Sequence, residues 1–142
     1  MEIADQNTYV PTRARDVARS APFLVGLIVY VIAASVDSAM TIRGMEGVLD
    51  REANPLLRSL MTQFGIIPAL ILGKSTILAI SVAAALVAVP ALRDKPDWLW
   101  KVPSTEVARR WVRSGDRSWV GYLPLFATAA FQALAAASWT LV

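Results

Sequence analysis

Neither cysteine nor histidine occurs in this chain of 142 residues. Their absence excludes disulfides, thiolate chemistry, c-type haem attachment, histidine-ligated haem and nearly every zinc, copper or non-haem iron site, because those groups need sulfur or imidazole ligands. A hard cation held by Asp, Glu, Asn and backbone oxygens stays open, as does a cofactor bound without metal ligation; which cofactor, if any, is unknown. Charge is scarce as well. With 18% charged residues, 56% hydrophobic residues and a mean hydropathy of +0.49, the chain is more apolar than a soluble domain of its size. The expectation is one small all-α membrane domain.

What is present in quantity is long apolar sequence. Crossing about 30 Å of hydrocarbon takes roughly 20 residues, and three stretches qualify: Ala21 to Ile42, Ile66 to Leu92 and Trp119 to Val142. The start resembles a signal peptide, since Arg13, Arg15 and Arg19 precede an apolar run containing Ala33, Ala34 and Ser35. That run is too long for a signal-peptide core and continues past the small residues, so a retained first helix is expected.

Lys and Arg outside the spans set the expected topology. Arg13, Arg15 and Arg19 before the first span join Arg93, Lys95, Lys101, Arg109, Arg110, Arg113 and Arg117 in the second loop, against Arg43, Arg51 and Arg58 in the first loop. Ten basic residues against three place the N-terminus in the cytoplasm and the C-terminus outside, in an arrangement read as a bacterial inner membrane. The net charge of +3 and the pI near 9.7 follow from this bias, and no nucleic-acid-binding motif accompanies them. Residues 1–20 read as a cytoplasmic tail with a short surface helix from Thr12 to Arg19, and residues 21–142 as a single three-helix transmembrane domain. Ser20 is expected to cap the first span, with Pro22 at an early position where its missing N–H costs nothing.

Each loop carries the pattern of a short interfacial helix. In the first, Asn54-Pro55 reads as an N-cap followed by proline, Leu56, Leu57, Leu60, Met61 and Phe64 share one face, and Gly65 is placed to end the helix. In the second, Ser104 precedes a basic amphipathic segment from Thr105 to Arg113. Arg109, Arg110, Arg113 and Trp111 there are candidates for contact with anionic headgroups. An ordinary positive-inside and aromatic belt accounts for the same residues.

Two full charges interrupt the apolar stretches: Asp37 in the first span and Lys74 in the second. At roughly 2.5 to 3.5 kcal/mol per charge on insertion scales, such residues face a protein interior and find partners. At 1.5 Å per residue, Asp37 lies roughly 8 Å, Lys74 roughly 12 Å and Gln132 roughly 15 Å from the outer ends of their spans. Three spans therefore bring polar side chains to one layer. Tyr30, Ala34, Asp37 and Thr41 share a face, as do Lys74, Leu78 and Ser81, and as do Thr128, Gln132 and Ala136. The expected intramembrane network is Asp37, Lys74, Thr41, Tyr30, Ser81 and Gln132, with Glu52 and Asn54 at its outer mouth. Small neighbours permit close helix approach. A buried structural ion pair and a working site explain this pattern equally.

Asp37-x-x-x-Thr41, then Glu52-x-Asn54-Pro55, then Lys74 in the next apolar helix, resembles a family of small bacterial and archaeal multi-helix membrane proteins catalogued as a domain of unknown function. The likeness covers about Val31 to Ser81 and rests on order and spacing. It implies a membrane fold and no established reaction. The long basic second loop and the lack of a histidine near the third helix fall outside that pattern.

Three function classes remain. One is an accessory or assembly subunit of a larger membrane complex, in contact with the bilayer and with a membrane-protein partner or further copies of itself, its buried pair organising helix packing. A second is binding or transport of an ion, proton or small polar solute by an oligomer, with Asp37 and Glu52 as oxygen ligands. A third is an intramembrane enzyme on a lipid or isoprenoid, with Asp37 or Glu52 as base and Lys74 stabilising negative charge. No nucleophile and base stand at a recognised spacing, and Ser38, Ser75 and Thr41 have structural roles available. The accessory role is the expectation, and no catalytic residue is assigned.

Overall fold

A computed structural model describes residues 13–45, 49–52, 54–94 and 117–140, all helical or in short connections. The expected second-loop helix, with Arg109, Arg110, Trp111 and Arg113, lies outside the described residues. Five α-helices are described: α1 (Ala14–Ala18), α2 (Ala21–Met45), α3 (Pro55–Phe64), α4 (Ile66–Asp94) and α5 (Leu123–Ser138). One 3-10 turn (Leu49–Arg51) precedes α3 and another (Ser118–Tyr122) leads into α5. Three helical segments are long and apolar enough to cross a membrane: Ala21–Met45, Ile66–Asp94 and Ser118–Ser138. The fold is all-α and that of an integral membrane protein.

The spans run up, down and up. Phe23 at the start of α2, Ala85 and Val89 late in α4, Tyr122 at the end of the 3-10 turn and Leu125 at the start of α5 form one apolar cluster. Met45 at the end of α2 packs with Met61 of α3 and with Ala69 and Leu70 at the start of α4, against Trp139 just past α5. Between them, Tyr30 and Ala34 meet Ala129. The stripe Phe23, Gly26, Tyr30, Ala34, Asp37, Thr41 and Met45 is the buried face of α2, with steps of three and four residues. α5 packs along α2 and also against α4, while α2 and α4 touch each other only sparingly.

Local chemistry sets the ends of these helices. The Asn54 side-chain oxygen accepts from the N–H groups of Leu56 (3.0 Å) and Leu57 (3.3 Å), the expected N-cap. Gly65 ends α3 with φ +85°, a conformation that disfavours any side chain. Its N–H reaches the Met61 carbonyl (2.9 Å) and its own carbonyl accepts from Ala69 (3.2 Å), so one residue closes α3 and opens α4. α3 is thereby folded back onto the start of α4.

At the opposite end the structure departs from expectation. Ser20 does not cap α2 through its side chain: its hydroxyl donates to the Val17 carbonyl (2.7 Å), leaving its oxygen to accept from the Tyr122 hydroxyl (2.9 Å). The serine ties the third span to the entry of the first. α1 is held in turn by Val17, which is 2% exposed in the cluster with Val89 and Leu125. Gly121 allows the tightest approach here. A Cβ there would lie 2.6 Å from Val89 Cγ2 and 2.7 Å from the Val89 backbone nitrogen.

Candidate functional site

α2 ends at Met45, eight residues beyond Asp37, and α4 begins at Ile66, eight residues before Lys74. Both charges therefore sit about 12 Å from the outer ends of their helices, so Asp37 lies deeper than a span ending at Ile42 implies. The longer helix brings the two to the same level.

Lys74 is the hub. Its ammonium donates to a carboxylate oxygen of Asp37 on α2 and to the side-chain carbonyl of Gln132 on α5, so one side chain joins all three spans. The side chains of Lys74 and Asp37 are 16% and 7% exposed. A second link runs between α2 and α4 at the same height: the Tyr30 hydroxyl donates to the Lys74 backbone carbonyl at 2.7 Å. α2 and α4 otherwise touch little, so the Lys74 and Asp37 pair and the Tyr30 bond supply the link between those two helices. Removing two charges from water is costly, and their attraction offsets that only with good geometry and further hydrogen bonds, which Gln132 supplies here.

Ser81 does not join this group. It stands seven residues further along α4, about 10 Å lower, where its hydroxyl bonds the Ile77 carbonyl (2.9 Å) and lies 3.3 Å from Thr128 Oγ1. Thr128 donates to carbonyls of its own helix, those of Pro124 (2.8 Å) and Leu125 (3.0 Å). This is a separate, self-satisfied contact between α4 and α5. Ser38 likewise donates to the Ala34 carbonyl at 2.7 Å, the structural role open to it from the sequence.

Thr41, one turn above Asp37, behaves differently. Its hydroxyl is buried, with the residue 4% exposed, and it has no hydrogen-bond partner among the described residues. The second oxygen of Asp37 likewise receives no hydrogen bond from them. Both residues border a cleft of about 850 Å³ between α4 and α5 beneath α3. Lys74, Gln132, Glu52 and Asn54 border it too, so the expected mouth residues do stand beside the buried pair.

Glu52 is 8% exposed, unusual for a loop acid. One of its carboxylate oxygens accepts the Asn54 N–H at 2.8 Å, which fixes the turn into α3. Its backbone carbonyl is gripped by the Arg58 guanidinium, whose Nε lies 2.9 Å away. Arg58 also approaches the exposed Asp50 carboxylate at 3.9 Å, a pair worth little by itself in water. In the sequence Arg58 stands out only as one of three basic residues of the first loop, because six residues of separation across a turn and a helix cap give no periodic signal. Phe131 and Trp139, which border the cleft with Leu57 and Leu72, also went unassigned, because an apolar span contains many equivalent apolar positions.

On the other side of Lys74, a shallower groove of about 290 Å³ separates α2 from α4 and is bordered by Ser35, Ser38 and Ser75. Among the described residues no three Asp or Glu side chains cluster as a metal site. The arrangement can pair charges, satisfy an amide and offer a carboxylate and a hydroxyl to a guest in the cleft. Comparison with protein-family models, with curated protein sequences and with solved structures finds no match to this chain.

Proposed function

We propose that this protein is a small accessory or assembly subunit of a larger membrane complex, in which the Asp37, Lys74 and Gln132 network organises helix packing. The observation that carries the reading is that Lys74 is committed to partners on both other spans, a use of charge that specifies which helices pair and at what height. Exposure adds support: within the most apolar part of each span, 28%, 22% and 28% of residues are buried in this unit. The remaining apolar surface, including Ile28, Ile32 and Val36 on α2 and Ile80 and Val87 on α4, is left to lipid or to a membrane partner. The membrane is read as a bacterial inner membrane, with the N-terminus in the cytoplasm, from the excess of Lys and Arg at that end of the bundle.

Purification in mild detergent, with Asp37→Asn and Lys74→Met made singly and together, tests the reading. The expected result is a co-purifying membrane protein that is lost, with much of the accumulation, in each single variant and restored in the double one, since removing both charges leaves neither unpaired. Should the protein purify alone, with all three variants accumulating normally, the accessory role fails.

A further inference from the structure

The packing role leaves one feature unused: the cleft between α4 and α5. Its walls are apolar, built from Leu56, Leu57 and Leu60 of α3, Leu72 and Ile77 of α4, and Phe131 of α5. Leu72, Ile77 and Phe131 are 50%, 39% and 70% exposed, so this side of the cleft opens sideways onto what would be acyl chains rather than upward to water. Its volume of about 850 Å³ falls in the range of sites that enclose most of a small organic ligand.

The polar end of the cleft has a definite sign. Among the described residues that border the cleft, two carboxylates, Asp37 and Glu52, stand against one ammonium, and Lys74 is already spent on Asp37 and Gln132, while the nearby Arg58 guanidinium is engaged by the Glu52 backbone carbonyl and by Asp50 outside the lining. The buried Thr41 hydroxyl and the second Asp37 oxygen lack partners among the described residues, and a polar group left so is costly where water is scarce. A guest that donates hydrogen bonds and carries positive charge relieves both conditions. A phosphate head would meet two carboxylates, and an uncharged head would leave the excess negative charge uncompensated.

We propose that this cleft is a binding site for a single-chain amphiphile with an ammonium head, entered laterally from the bilayer. The head lies among Glu52, Thr41 and the second oxygen of Asp37, and the hydrocarbon tail leaves between Leu72, Ile77 and Phe131. Charge-assisted hydrogen bonds to the carboxylates select the head, while the apolar walls accept any chain of sufficient length.

The test uses the full chain in phosphatidylcholine nanodiscs and three photoreactive probes with the same diazirine-bearing hexadecyl chain, ending in an amine, an alcohol or a phosphate. Label is mapped by peptide mass spectrometry. The amine probe is expected to label the Leu72 to Ile77 and Phe131 to Ser138 segments about tenfold more than the alcohol does, as one charge-assisted contact implies. Labelling of the exposed α2 face should be equal for all three. Glu52→Gln should reduce the cleft label about tenfold, and Ala135→Trp, which fills the cleft, should remove it while sparing the α2 label. Equal labelling by the three heads, preference for the phosphate, or cleft label undiminished in Glu52→Gln overturns the proposal. So does the absence of cleft label with every probe, the pattern of a second membrane helix seated there. If Ala135→Trp does not fold, competition by unlabelled hexadecylamine replaces it, and failure to compete overturns the site.

Discussion

The two ends of this three-span unit are held together in different ways. At the end that gathers Val17, Phe23, Ala85, Val89, Tyr122 and Leu125, the helices meet through close apolar contact, with Gly121 pressed on the Val89 backbone. In the other half an apolar cluster of Met45, Met61, Ala69 and Leu70 closes the end, and below it Lys74 reaches across to Asp37 and Gln132, with an open cleft beside that network. In a bilayer, lipid tails are as apolar as leucine, so close packing holds helices only where surfaces fit tightly. Polar bonding acts over the length of a lysine side chain and tolerates space beside it. The half that pairs through charge is thus the half that can hold a cavity.

Breaking the network should have the largest effect. Lys74→Met leaves Asp37 buried without its counter-ion and is expected to cost about 3–5 kcal/mol of stability, read from unfolding of the purified protein in mixed micelles. Asp37→Asn combined with it should recover most of that loss; full additivity of the two would show that the charges do not act as a pair. The close-packed end should respond less. Gly121→Ala forces a methyl against the Val89 backbone and is expected to cost about 2 kcal/mol. A loss as large as that of Lys74→Met would mean that packing, rather than charge, dominates both ends.

Smaller changes sharpen the contrast within the polar half. Tyr30→Phe removes the 2.7 Å bond to the Lys74 carbonyl and should cost about 0.6–1.7 kcal/mol, as interhelical hydrogen bonds in membranes do. Thr41→Val should cost nothing in the absence of ligand, and the same unfolding measurement is expected to read between no change and a gain of about 1 kcal/mol. A clear loss would indicate that the hydroxyl is already satisfied, and the cleft would then offer one group fewer.

How much of this was legible varies residue by residue, for physical reasons. The face Tyr30, Ala34, Asp37 and Thr41 was readable because helical period fixes direction around an axis, and the structure extends the same stripe to Phe23 and Met45. Period does not fix height. Ser81 shares a face with Lys74 yet stands about 10 Å away from it, and so bonds within α4 and meets Thr128 instead. Asn54 was legible as a cap from its neighbour Pro55, whereas Ser20, an equally plausible cap by type, was diverted by Val17 and Tyr122. Nothing local announces a partner 102 residues away.

Composition and spacing alone determined that the chain is helical, that three stretches can cross a membrane, and that Asp37 and Lys74 need partners, since each follows from lengths, periods and the cost of a charge in hydrocarbon. Only the tertiary structure decided that Lys74 serves two helices at once, that Tyr30 reinforces it, and that Thr41 and Glu52 border a cleft instead of closing the network. Those outcomes depend on the relative heights and separations of α2, α4 and α5. These arise from how Gly65 turns the chain back and how Gly121 seats the third span on Val89, contacts between segments that the order of residues along one helix does not encode.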